Sequence, residues 1–205
     1  MIDVKFEALF PVPIQITTLD NLLTQEHIDY CDSLNNKDRR SNIGNWRSQS
    51  SCILDDPKLV KIKEFVDRSI ESYKHNILSN TDIDVYITQS WLNFSSQGQW
   101  HHQHAHPNSF ISGVFYVQTT AEDKITFHSP WDMHILNVTP KTPGVLNSLS
   151  WWYPTVQGSL ILFPSKLQHH VDPVTSSSTR ISLSFNTFVR GDIGVESDST
   201  QLILK

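Results

Sequence analysis

Four histidines fall within six positions, His101, His102, His104 and His106, and a fifth, His169, lies far downstream. In extended chain, residues i and i+2 project to the same side. His104 and His106 can therefore face one ion, and His169, arriving on a neighbouring strand, can close a facial triad. Three protein ligands on one face leave positions open opposite, as metal catalysis requires. Imidazole suits iron, zinc, copper and nickel, so ligand type alone does not choose the metal. The pair His102 and His104 has the same spacing, so that register stays open as well. Outside the triad, His101 and His102 are expected around the site or at the surface. His27, His75, His128 and His134 have no partner in sequence and carry no assigned role. Asp172 follows His169 at an odd offset that makes it a poor same-face ligand, and Asp132 has no place fixed by spacing.

The second chemical element is Arg180, which opens the stretch RISLSFN. Its same-face neighbours in a strand are Ser182, Ser184 and Asn186. A guanidinium holds a carboxylate through two parallel hydrogen bonds, and a hydroxyl two residues along can add a third. Each feature has a plainer reading: a histidine-rich patch in solvent, and an arginine in a surface ion pair.

These residues need strands to position them. From residue 83 onward the hydrophobic period is two, with strands expected at Ile83–Phe94, Phe110–Gln118, Lys124–Phe127, Ser159–Phe163 and Arg180–Val189. Short strands with no helices between them argue an antiparallel sandwich or jelly roll. Residues 1–80 are a mixed helical support region, 83–190 the jelly-roll core and 191–205 a C-terminal tail of the same single domain. In the first region Thr24 caps a helix through Asn35. A second helix starts at Asp56-Pro57 and carries Leu59, Ile62, Phe65, Val66, Ile70, Tyr73 and Ile77 as one stripe. Both are packing elements. The stretch 131–157 is long for a loop and holds Trp131, Trp151, Trp152 and Tyr153, which serve either as a lid or as packing.

Composition narrows the class. The chain has 205 residues, is 38% hydrophobic and 18% charged, and includes 6 Trp and 10 Phe, enough for a core and unlike a disordered chain. With 16 basic against 21 acidic residues and no basic run, a nucleic-acid footprint is not supported. No apolar stretch is long enough to span a membrane, and MIDVKFEALF lacks the layout of an export signal. Cys31 and Cys52 are expected as two reduced, buried thiols. A cytoplasmic protein is expected.

The stretches H-x-H-P-x-S-x-x-S-G-V-F-Y-V (His104–Val117), G-x-L-I-L-F-P-S-x-L-x-H-x-V-x-P (Gly158–Pro173) and Arg180–Asn186, with Trp91-Leu-Asn93 ahead of them, resemble the iron(II)/2-oxoglutarate-dependent oxygenase family. The likeness is to a prolyl-hydroxylase-like branch found in bacteria and phages, and covers roughly residues 85–190. It implies a double-stranded β-helix with iron held by His104, His106 and His169. It also implies 2-oxoglutarate anchored through Arg180 with Ser182, and Asn93 in the co-substrate site. The pattern H-x-V-x-P selects His169 over His170. The implied reaction uses O2 and 2-oxoglutarate, with ascorbate as supporting reductant. It hydroxylates an unidentified substrate, such as a peptidyl or free proline, and releases succinate and CO2.

One position departs from the wider superfamily. His106 stands where Asp or Glu usually completes the iron site, which leaves an Fe(II) centre one unit more positive. Two other classes stay open: a three-histidine cupin-like metal enzyme that uses no 2-oxoglutarate, and a non-catalytic jelly-roll binding module.

Overall fold

The computed structural model describes residues 2–79, 82–120, 122–131 and 139–205. His134 and Asp132 lie outside the described residues. The chain begins with β1 (Gln15–Thr18), α1 (Gln25–Lys37), β2 (Arg39–Ser41), β3 (Trp46–Ser48) and α2 (Val60–Tyr73). Then come β4 (Asp84–Ser95), β5 (His101–His104), β6 (Ile111–Gln118), β7 (Lys124–His128), β8 (Ser150–Pro154) and β9 (Ser159–Pro164). β10 (His169–Val171), β11 (Arg180–Ile193) and β12 (Leu202–Leu204) complete it. The fold is mainly β, a jelly roll of two antiparallel sheets with two helices on one side. The major sheet runs β1-β9-β6-β11-β4-β3-β2, with β12 paired to the far end of β11, and the minor sheet runs β5-β10-β7-β8.

Side-chain parity explains how the layers stack. On β11, Ile181, Leu183 and Phe185 are fully buried against the helical side, joining Ile62, Phe65, Val66 and Ile70 of α2. Its other face, Ser182, Ser184 and Asn186, therefore looks between the sheets. β6 and β9 are apolar on both faces because both are covered. Phe115, Val117, Leu160 and Leu162 meet the helices, while Val114, Tyr116, Ile161 and Phe163 meet Ile125 and Phe127 of the minor sheet. Each fully buried apolar side chain of α2 contributes roughly 1.5–3 kcal/mol as an upper estimate. Gly113 of β6 is required by packing, since an added Cβ would lie 2.2 Å from the Phe185 ring.

The first helix starts where expected, whereas the expected start of the second is a separate 3-10 turn, Pro57–Leu59, that leads into α2 at Val60. The Asp56 carboxylate accepts from the Lys58 N–H at 2.9 Å, with Pro57 inside the first turn. Before α1, the Thr24 N–H donates to His27 Nδ1 at 3.2 Å, a capping role for one of the unassigned histidines. The apolar stripe of α2 stops before Ile77, which is 45% exposed. The chain widens there into a π turn at Lys74–Leu78, and the extra residue per turn rotates Ile77 off the buried face.

Two further expectations are corrected. Cys52 is exposed, and only Cys31 is buried. Trp151, Trp152 and Tyr153 are not a lid but part of β8, paired to Phe127, Thr126 and Ile125 of β7. Tyr153 packs onto the inner cluster, and Trp152 faces outward beneath the Lys124 ammonium. No helix among the described residues is long and apolar enough to cross a membrane.

Candidate metal centre

The ladder between β5 and β10 puts His104 directly opposite His169, with ring centroids 4.4 Å apart. His106 lies two residues beyond the end of β5. Its backbone N–H donates to the Ser165 carbonyl at 2.9 Å, and its Nε2 sits 3.4 Å from His169 Nε2. One donor atom from each of His104, His106 and His169 lies within 4.8 Å of the others. His104 Nδ1 donates to the His102 carbonyl at 2.7 Å, and His169 Nδ1 to the Leu167 carbonyl at 3.1 Å. With Nδ1 protonated, Nε2 keeps its lone pair for a metal, and the ring orientation is fixed. His106 is hydrogen-bonded to Asn186. Asn186 Oδ1 accepts from Ser112, which continues to Ser165 and Ser109 at 2.8 Å each. The serines of the H-P-x-S-x-x-S stretch thus hold up the ring that departs from the superfamily pattern.

Electrostatics favours neutral imidazoles. Burial, then His104, pulls His106 down to about 4, partly offset by its bond to Asn186. Burial, then His104 and His106, holds His169 well below the ordinary range. Neutral imidazole is the ligating form, so the donors fit a divalent ion such as Fe(II).

His101, His102 and His104 form a second such group, so His104 belongs to both registers. The His101 ring stacks on His104 at 4.4 Å, and burial lowers it to about 3. Neither group contains a carboxylate. His170 points to the opposite face of β10, with Nδ1 2.8 Å from His128 Nε2 and Nε2 3.3 Å from the Asp172 carboxylate. Asp172 also pairs with Lys124 at 3.2 Å and stays out of the triad.

Arg180 is 5% exposed, and its Nη1 donates to Asp123 Oδ1 at 2.9 Å and to the Asp172 carbonyl at 3.3 Å. The other oxygen of Asp123 accepts from the Thr120 N–H at 2.8 Å. Ser182 sits directly opposite Asn93 on β4 and Tyr116 on β6, so the three form one row across the sheet. Asn93 Nδ2 donates to Ser184 Oγ at 3.0 Å. Its Oδ1 and the Tyr116 hydroxyl are buried with no hydrogen-bond partner among the described residues. Burial pushes the Tyr116 phenol up, Arg180 pulls it partly back, and Asp123 adds to the rise. An unmet buried hydroxyl costs about 1–3 kcal/mol. A carboxylate placed between Arg180 and Tyr116 would remove that cost, so these donors fit one end of 2-oxoglutarate. Asn93 presents its Oδ1 as an acceptor in this orientation.

Tyr116 and Asp123 escaped the sequence reading. Tyr116 could have been noticed as the polar tip in an otherwise apolar strand. Asp123 lies in TTAEDK with no pattern tying it to Arg180.

A family model described as "Putative 2OG-Fe(II) oxygenase" matches residues 89–186. No curated protein sequence matches the chain. Solved structures similar in fold include a Pseudomonas putida prolyl-4-hydroxylase, at 11% identity and TM-score 0.57, covering 85% of this chain and 92% of that one. The non-heme alpha ketoglutarate dependent epimerase SnoN from nogalamycin biosynthesis is similar at 11% identity and TM-score 0.62, over 88% and 79% of the two chains. HygX from Streptomyces hygroscopicus, with nickel and 2-oxoglutarate bound, is similar at 8% identity and TM-score 0.58, over 86% and 82%.

Proposed function

We propose that this chain, whose residues 89–186 match the model of the putative 2OG-Fe(II) oxygenase family, hydroxylates an amino-acid side chain, free or within a peptide, and converts 2-oxoglutarate to succinate and CO2. The observation that carries this reading is the convergence of His104, His106 and His169, with one donor atom from each within 4.8 Å of the others, in a fold that also buries Arg180 and a Tyr116 hydroxyl without a partner among the described residues. When bound, Fe(II) supplies the activation of O2 that no side chain provides.

The chain's own residues do the rest. His104, His106 and His169 hold the metal, with the His104 and His169 rings fixed by Nδ1 hydrogen bonds to backbone carbonyls and the His106 ring by its bond to Asn186. Arg180 and the Tyr116 hydroxyl take the far carboxylate of 2-oxoglutarate, and the Ser182 hydroxyl lies in the same row. Phe163, 4.7 Å from the His169 ring, and Trp91, 6.0 Å from His106, exclude water from the inner side. His106 leaves the site one charge more positive than a carboxylate would, which strengthens its hold on the anionic co-substrate. Proline is the favoured side chain because a prolyl-4-hydroxylase shares the fold. Ascorbate would keep the metal reduced, and the two free cysteines suit a reducing cytoplasm.

The closed Arg180–Asp123 pair favours a second reading, a three-histidine metal enzyme that takes no 2-oxoglutarate. One assay separates the two. Protein given Fe(II), ascorbate, O2 and 2-oxoglutarate should form succinate slowly without its primary substrate, and Arg180→Ala should not at the same co-substrate concentration. No succinate above a metal-free control, with both iron and 2-oxoglutarate shown to bind, would overturn the proposal.

A further inference from the structure

The β2–β3 hairpin carries charges that the metal centre does not use. Arg40 and Arg47 stand directly opposite each other in its ladder, where like charges are destabilising. Neither has a carboxylate partner among the described residues. Both reach only Ser51 Oγ, Arg40 at 3.5 Å and Arg47 at 3.1 Å. Arg47 Nε is buried and without an acceptor. The hairpin's other arginine is accounted for, since Arg39 donates to Asn35 at 2.8 Å and lies 4.4 Å over the Trp46 ring.

The pairing of β3 with β4 aims Arg47 at the site. Arg47 is opposite Asn93 and so shares its side of the sheet, the side that faces the three histidines. Its guanidinium lies 5.4 Å from the ring of Trp91, and that ring is 6.0 Å from His106. Burial, then Arg40, pulls the Arg47 guanidinium below its ordinary value, as expected of a cation that has lost water and gained no counter-charge. In a chain of net charge -5, an uncompensated cation pair beside a metal centre marks a place for an anion.

We propose that Arg47, supported by Arg40, binds an anionic group of the primary substrate, a carboxylate or a phosphoryl group, and so places the neighbouring carbon over Trp91 at the metal. This rests on the oxygenase reading for the substrate's fate but not for the anion site itself. The 2-oxoglutarate carboxylate is served separately, by Arg180 on β11. The substrate class is therefore acidic: a small acid, a phosphorylated metabolite or an acidic group of a peptide.

The test is a titration followed at the Arg47 Nε–Hε resonance, assigned by its disappearance in Arg47→Lys. Full-length protein is loaded with Zn(II) as a diamagnetic stand-in and saturated with 2-oxoglutarate, then titrated with acetate or with inorganic phosphate. At least one anion should shift Arg47 saturably, and the apparent affinity should be about threefold or more weaker in Arg40→Gln. The stronger of the two names the group. Arg190, stacked on Tyr86 at 3.9 Å, is the reference cation. Unsaturable shifts, or equal shifts at Arg47 and Arg190, would overturn the proposal. Zn(II) stoichiometry in Arg40→Gln and Arg47→Gln should equal that of the wild type, which shows the three-histidine site intact. A saturable shift in protein that forms no succinate leaves the anion site standing and removes the oxygenase reading; succinate without a shift does the reverse.

Discussion

Asp123 holds the guanidinium proposed to anchor the co-substrate, and replacing it by Asn should tighten 2-oxoglutarate binding. The Arg180–Asp123 contact is 2.9 Å with side chains 6% and 3% exposed, so both charges are cut off from water. Breaking such a buried pair from one side costs about 3–5 kcal/mol of folding stability, because the remaining charge is left uncompensated. In Asp123→Asn the guanidinium is that charge. It stays in place, since the Asp172 carbonyl still accepts from Nη1 and an amide oxygen can replace the lost acceptor. The far carboxylate of 2-oxoglutarate then supplies the missing negative charge, free of repulsion from Asp123. A charge-assisted hydrogen bond contributes about 1.5–3 kcal/mol, so Kd should fall about 10- to 100-fold. Isothermal titration of 2-oxoglutarate into metal-loaded protein measures this directly, and urea unfolding measures the stability lost. Arg180→Ala is the opposing control, with binding weakened on the order of 30-fold or more. Unchanged or weaker binding in Asp123→Asn would refute the idea that Asp123 and the co-substrate compete. Unchanged binding in Arg180→Ala would move the anchor elsewhere.

Replacing His104, His106 or His169 by Ala should lower Fe(II) or Co(II) affinity about tenfold or more, with smaller effects from His101→Ala and His170→Ala; an equal loss in His102→Ala would favour the other register. Tyr116→Phe should leave the fold at least as stable, since it removes an unmet buried hydroxyl, while weakening 2-oxoglutarate by about 2- to 10-fold in the same titration; equal affinity would take Tyr116 out of the site. The metal-free protein should lose stability to urea as pH falls from about 6.5 to about 4. His106 is held down to about 4 in the fold but titrates near 6.5 unfolded, so the unfolded state binds more protons across that window. A flat profile there would contradict the burial ascribed to it.

The long strands were legible because burial leaves a period in the sequence. The alternation of Ile181, Leu183 and Phe185 against Ser182, Ser184 and Asn186 placed β11 and put the polar residues on the face of Arg180. β5 and β10 were not legible, since HHQH and HHV are too short and polar for a period and are held by their neighbours. The hairpin of β2 and β3 hid for the same reason. SWWYP read as loop because it ends on Pro154, although an edge strand tolerates a proline. The meeting of His104, His106 and His169 followed from spacing and resemblance. The partner of Arg180 did not, because a buried ion pair between residues 57 positions apart leaves no local mark. The orphaned Tyr116 hydroxyl is likewise a fact of packing, invisible until three strands are laid side by side.

The central claim is that three imidazoles and Arg180 build one site for Fe(II) and 2-oxoglutarate. An anaerobic titration with Fe(II), then 2-oxoglutarate, tests it most directly, through the visible metal-to-ligand charge-transfer band that forms only when the keto acid chelates the metal. Wild type should develop the band and saturate, His169→Ala should not develop it, and Arg180→Ala should need far more 2-oxoglutarate. Stoichiometric iron binding without a band at high 2-oxoglutarate would contradict the account.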